Sequence, residues 1–113
     1  LLLQSGGLRR GEVRLSHILV QVPDGASAAQ LDEGRRKAEM VSREIAGGLD
    51  FASAAIRYSD GQQALEGGDL GWRRYDEVPS VFGEVIAQMK VGDITPALRG
   101  PSGFHIIKLA DQR

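Results

Sequence analysis

Alternation of apolar and polar positions marks the first ordered segment of the chain. Between Val13 and Gln21 (VRLSHILVQ), Val13, Leu15, His17 and Leu19 share one strand face, and Arg14, Ser16, Ile18 and Val20 share the other. Both faces carry aliphatic residues, which predicts a central strand. Pro23-Asp24-Gly25 supplies the turn that ends it. From Ser27 the period becomes helical: Leu31, Gly34, Ala38, Val41 and Ile45 recur at spacings of three and four. Ser27 with Gln30 is a capping-box signature, and Gly47-Gly48 stops the helix. Asp50 predicts the cap of a second, shorter helix that buries Phe51, Ala54, Ala55 and Tyr58.

The stretch Ser59 to Gly68 (SDGQQALEGG) is a polar loop with room for one helical turn. Asp69 to Arg73 predicts a short strand with Leu70 and Trp72 on one face, and Tyr75 to Pro79 a loop. Ser80 is the expected cap of a third major helix, with Phe82, Val85, Ile86 and Met89 on its apolar face and Gly92 as its stop. Ile94 to Leu98 predicts a strand, Gly100-Pro101-Ser102-Gly103 a hairpin turn, and Phe104 to Leu109 the last strand. Strands and helices do not alternate strictly, so a parallel α/β sheet is not expected. The order predicts an α+β fold, a mostly antiparallel four-stranded sheet surrounded by helices. Residues 1–12 (LLLQSGGLRRGE) show no sustained period and are expected to be a linker or the end of a preceding domain, with one folded domain over 13–113.

Charge narrows the choice of partners. The net charge is −1, and the clusters Arg9-Arg10, Arg35-Arg36-Lys37 and Arg73-Arg74 are short and interleaved with acids. Solvated faces explain them better than a nucleic-acid footprint. The chain has no cysteine, which excludes disulfides, thiolate nucleophiles and Cys-ligated zinc. No apolar run approaches the ~20 residues of a membrane helix. Leu1-Leu2-Leu3 is too short for a signal peptide, and the start at Leu in place of Met suggests a segment of a longer protein.

Candidate chemistry is sparse. His17 sits within an apolar strand and His105 just after a turn, so each taken alone fits a hydrogen-bonded core residue. Zinc would need a third and fourth ligand at suitable spacing, and no carboxylate or further histidine provides one. No metal or other cofactor is expected. Gly67-Gly68-Asp69-Leu70-Gly71 lacks the spacings of a phosphate loop and leads into a strand. Ser16, Ser59 and Ser102 sit in no nucleophile elbow. Leu70 and Trp72 serve either as core or as one wall of an apolar pocket.

In order along the chain come Ser16-His17-Ile18-Leu19, Asp50-Phe51, Tyr58-Ser59-Asp60, Gly67-Gly68-Asp69-Leu70-Gly71-Trp72, Phe82, Val91-Gly92-Asp93 and Ser102-Gly103-Phe104-His105-Ile106-Ile107. This series resembles the parvulin (rotamase, PpiC-like) prolyl isomerase family over about Val13 to Arg113. Within the family, Gln62-Gln63-Ala64-Leu65 is most similar to the first parvulin repeat of a periplasmic chaperone for outer-membrane proteins. The resemblance implies a parvulin/FKBP-like fold of order βαααβαββ, and isomerisation of X-Pro bonds in unfolded or extended polypeptides, outer-membrane proteins among them. It also implies a periplasmic location and a monomeric domain within a longer chain. The alternative is a catalytically weak peptide-binding module that uses the same groove.

By the same resemblance, His17 and His105 are the histidine pair and Ser102 the neighbouring hydroxyl. Leu70, Val78 and Phe82 form the proline pocket, with Trp72 and Phe104 as further substrate contacts. The family's Cys or Asp falls on Gly61, counting from Ser59, with Asp60 one residue early. Either Asp60 takes that role or the acidic group is missing. Phospho-Ser/Thr-Pro specificity is not expected, because the loop after the first strand carries no basic run, although Arg73 and Arg74 lie near the groove.

Overall fold

A computed structural model describes residues 11–100 and 102–113. Residues 1–10 of the expected linker, and Pro101 of the expected hairpin turn, lie outside the described residues. Four strands form one antiparallel sheet: β1 (Glu12–Gln21), β2 (Asp69–Arg74), β3 (Leu98–Gly100) and β4 (Gly103–Gln112). Their order across the sheet is β2-β1-β4-β3. The two long strands are therefore central, as the aliphatic residues on both faces of β1 predict. Glu12 already pairs with Arg74, so β1 begins one residue before Val13.

Two helices cover one face of the sheet. Helix α1 (Ala28–Ala46) starts at the predicted capping box: Ser27 Oγ accepts from the Gln30 N–H and Gln30 Oε1 accepts from the Ser27 N–H. Helix α2 (Phe51–Tyr58) starts with the Asp50 carboxylate accepting from the Ser53 N–H. Val41 of α1 and Phe51, Ala54 and Ala55 of α2 pack there against Ile18, Val20, Phe104 and Ile106 of the sheet. Ile18, Ile106 and Val41 are fully buried, and each such side chain contributes roughly 1.5–3 kcal/mol of transfer free energy. The third helical element of the expected order is a single 3-10 turn, Ala64–Glu66.

Helix α3 (Ser80–Ala87) packs on the opposite face over Val13, Leu15, Ile107 and Leu109. Two expectations fail here. Ser80 is the first helical residue and not the cap; Pro79 holds the cap position without a side-chain bond. Proline fits because an N-terminal helix N–H has no intrahelical partner to lose. The helix also ends at Ala87, well before Gly92.

The strand expected over Ile94–Leu98 is replaced by one isolated bridge, Ile94 to Lys108, and by β3 at Leu98–Gly100. Pro96 has no N–H to offer a ladder. Thr95 compensates at this point. Its N–H donates to the Ile107 carbonyl (2.8 Å), and its buried Oγ1 accepts from the Ile107 N–H (3.0 Å). Gly100 then pairs with Gly103 across the hairpin.

Candidate active site

Two central strands place the histidines. His17 on β1 lies opposite Ile107 of β4, and His105 opposite Leu19, so the two are diagonal neighbours on the face beneath α3. His17 Nε2 and His105 Nδ1 are 2.7 Å apart, with ring centroids at 5.0 Å and planes at 18°. One nitrogen donates and the other accepts, in the roles that the ring tautomers allow. Burial, and then the neighbouring His105, push the His17 pKa down to about 4. Both effects disfavour a charge on His17.

Beside the histidines is an apolar cavity of about 290 Å³. Leu15, Leu70, Val78, Pro79, Phe82, Ile86 and Ile107 line it, and His17, His105 and Ser102 supply its polar edge. The Phe82 ring meets His105 at 5.0 Å between centroids, tilted by 55°. A Cβ on Gly100 would stand 3.0 Å from both His105 Cδ2 and Phe82 Cζ, so the hairpin backbone presses directly on the site.

A bulge brings Leu70 into the cavity. Ser16 pairs with Asp69 and Leu15 with Gly71, which leaves Leu70 as the extra residue of β2. Asp69 holds the bulge: it accepts from Arg14 Nη2 at 2.6 Å and from the Gly71 N–H at 2.8 Å. The hydrogen bond from Arg14 keeps the Asp69 carboxyl below its ordinary range. Gly68 precedes the bulge at φ +82°, and a Cβ there would meet the His17 carbonyl oxygen at 2.4 Å.

Three expected site residues lie elsewhere. Trp72 is not on the Leu70 side, because the bulge breaks the alternation between them. It pairs with Arg14 on β1, and the Arg113 guanidinium sits 4.0 Å from its ring centre. Phe104 is one residue from His105 and therefore points to the opposite face, where it is buried with Val20, Val22 and Ala38. The Asp60 carboxylate accepts from the Gln21 backbone N–H at 2.9 Å. Its own N–H donates to the Leu19 carbonyl (2.8 Å), so Asp60 clamps the loop to the end of β1.

Gly61 is the position that faces the pair. A Cβ there would lie 4.0 Å from His17 Nδ1 and 3.3 Å from Ser59 Oγ. Ser59, read in the sequence as part of the Tyr58-Ser59-Asp60 motif and rejected as a nucleophile, has an Oγ that accepts from the Leu19 and Gly61 N–H groups, a role the sequence did not suggest. Sequence reasoning also overlooked Leu15, Pro79 and Ile107 as pocket walls. The signal for Leu15 and Ile107 was the period-two spacing from each histidine.

A family model described as Rotamase, the PPIC-type PPIASE domain, matches residues 17–111. The chain belongs to this family. It is a parvulin-type peptidyl-prolyl isomerase domain with an α+β fold. The chaperone SurA of Nitrosococcus oceani is 49% identical over 107 residues, a match covering 95% of this chain and 25% of that protein. Chaperone SurA of Methylococcus capsulatus is 47% identical over 109 residues, covering 96% and 24%. The chain thus spans about a quarter of the length of these curated relatives. A crystal structure of a PpiC-type peptidyl-prolyl cis-trans isomerase domain superposes with a TM-score of 0.82 at 28% identity, covering 94% of each chain. The parvulin domain of PpiD from E. coli gives 0.70 at 25% identity, covering 91% of this chain and 89% of that one.

Proposed function

We propose that this domain isomerises X-Pro bonds in unfolded or extended polypeptides, within a periplasmic chaperone that serves outer-membrane proteins. The observation that carries the reading is the apolar cavity set directly against the His17–His105 pair. The relatives named Chaperone SurA support the chaperone context.

Isomerisation breaks no σ bond. The barrier is the lost amide resonance, about 18–20 kcal/mol. The catalyst must fit the twisted peptide better than either planar form. Leu70, Val78 and Phe82 take the proline ring and remove water from the imide. That favours the twisted state, in which charge separation is smaller. His17, held neutral, and His105 offer a donor and an acceptor that can orient the carbonyl or the pyramidal nitrogen. Ser102 lies at the rim of the same cavity. With no cysteine in the chain, the route is non-covalent with respect to sulfur.

One observation favours a second reading, a weakly catalytic binding module in the same groove. Asp60 is committed to Gln21, and Gly61 brings no side chain to His17. The test of the pocket is the exchange rate of an Ala-Pro peptide with wild type and Phe82→Ala. The variant is expected to lose at least about 90% of the catalysed rate, since removing a pocket ring costs more than about 1.4 kcal/mol of contact. Full activity in a folded Phe82→Ala protein would overturn the pocket assignment.

A further inference from the structure

Helix α3 carries one wall of the apolar cavity, yet little in its own sequence holds it in place. It spans only the eight residues Ser80–Ala87, its cap Pro79 makes no side-chain bond, and Gly83 stands near its centre. Helices this short are marginal in water, and an interior glycine weakens them further. The positions of Phe82 and Ile86 therefore depend on contacts from outside the helix.

Beyond its C-terminal end the chain is tied to the sheet. The Gly92 N–H donates to the Leu109 carbonyl (2.8 Å), and the Leu109 N–H donates to the Asp93 carbonyl (3.0 Å). Tyr75 ties down the other end. It opens the 3-10 turn Tyr75–Glu77, its N–H donates to the Gly11 carbonyl (3.2 Å), and its own carbonyl accepts from the Val78 N–H (3.3 Å). The half-buried ring packs against the cluster that contains Val13, Phe82 and Ile86. Its hydroxyl donates to the Gly83 carbonyl at 2.8 Å. One side chain thus joins the start of the sheet to the residue that follows Phe82.

From this geometry we infer that Tyr75 is a positioning residue for prolyl isomerisation. Its hydroxyl latches α3 onto the sheet, so that Phe82 stays against His105 and the proline pocket is formed before a peptide arrives. This deepens the proposed function and rests on it. Tyr75 is outside the lining of the cavity, so it acts through Phe82 and not on the substrate. Without the latch, α3 samples positions away from the sheet, and the peptide has to bring it back. That lowers the apparent affinity by the fraction of molecules in the closed form and leaves the turnover of bound peptide unchanged.

The test is the kinetics of Ala-Pro peptide exchange in wild type and in Tyr75→Phe, which keeps the ring and removes only the hydroxyl. KM is expected to rise about threefold, the scale of one net hydrogen bond, with kcat within about twofold of wild type. Amide hydrogen exchange over Ser80–Ala87 should quicken by a similar factor. Gly83→Ala supplies the rescue, because a Cβ there meets nothing within 4 Å and alanine strengthens the helix itself. The double variant Tyr75→Phe/Gly83→Ala should return KM to near the wild-type value. Ala38→Gly is the control: it weakens α1 on the opposite face of the sheet and should leave KM unchanged. An unchanged KM in Tyr75→Phe, a rise that Gly83→Ala does not reverse, or an equal rise in Ala38→Gly overturns the latch and leaves the proline pocket standing. If wild type catalyses no exchange, or if Phe82→Ala is as active as wild type, the proposed function fails and the latch fails with it.

Discussion

Replacing Gly61 by aspartate puts a carboxylate beside His17 without disturbing Asp60. A Cβ at this position would lie 4.0 Å from His17 Nδ1, 3.8 Å from Leu19 Cβ and 3.3 Å from Ser59 Oγ, so only the serine must give slightly. Carboxylate oxygens extend ~2.4 Å beyond Cβ, from ordinary bond lengths, which brings one within hydrogen-bond reach of Nδ1. Wild-type His17 is held down to about 4 by burial and by His105. An adjacent anion raises a histidine by roughly one to three pH units. The carboxylate also fixes Nδ1 as the protonated nitrogen, leaving Nε2 to accept from His105. Titration of the ring protons by NMR reads the shift directly, with Gly61→Asn as a neutral control of similar shape. Gly61→Asp is expected to raise the His17 midpoint clearly above both wild type and Gly61→Asn, and to speed peptide exchange. An unchanged midpoint in a folded Gly61→Asp protein would refute the placement of residue 61 against His17.

Other consequences concern the frame around the site. Gly68→Ala forces a side chain into a left-handed backbone and against the His17 carbonyl, so a loss of at least about 2 kcal/mol is expected, with Tm falling on the order of 10 °C. Thermal melts check it, and an unchanged Tm contradicts it. Thr95→Val keeps the shape but strands the Ile107 N–H, a cost of about 1–3 kcal/mol readable by denaturant unfolding. Because His17 is neutral in the folded state down to about 4 but takes a proton near 6.5 when unfolded, the unfolded state binds more protons between those values. Stability conferred by His17 is therefore full above about pH 7 and declines as the pH falls towards 4. Wild type measured against His17→Gln should lose ground steadily across that window; a difference independent of pH would contradict the shift.

Local rules made much of this architecture legible. Ser27 with Gln30, and Asp50, capped the helices they were expected to cap, because those bonds close within three residues. The histidine face of β1 followed from alternation alone. Legibility failed where tertiary structure intervened. Leu70 and Trp72 share a face only in an unbroken strand, and the bulge held by Asp69 and Arg14 separates them. Phe104 was expected as a substrate contact beside His105, whereas period two sends adjacent residues to opposite faces. Asp60 was plausible by spacing, but its carboxylate is needed at the Gln21 N–H, which lies beyond the reach of β2 pairing. Pro96 was a visible warning against a strand over Ile94–Leu98.

The relatives share this domain over only about a quarter of their length, so the central claim is best tested on the chain itself. Two-dimensional exchange NMR on an Ala-Pro peptide, with the domain at catalytic concentration, asks whether the cavity beside His17 and His105 turns peptide over. Without a catalyst cis and trans interconvert over tens to hundreds of seconds, too slowly for exchange cross-peaks. The account predicts cross-peaks that appear on adding the domain and fade with Phe82→Ala. Peptide shift changes without any exchange would contradict it and leave a binding module in its place.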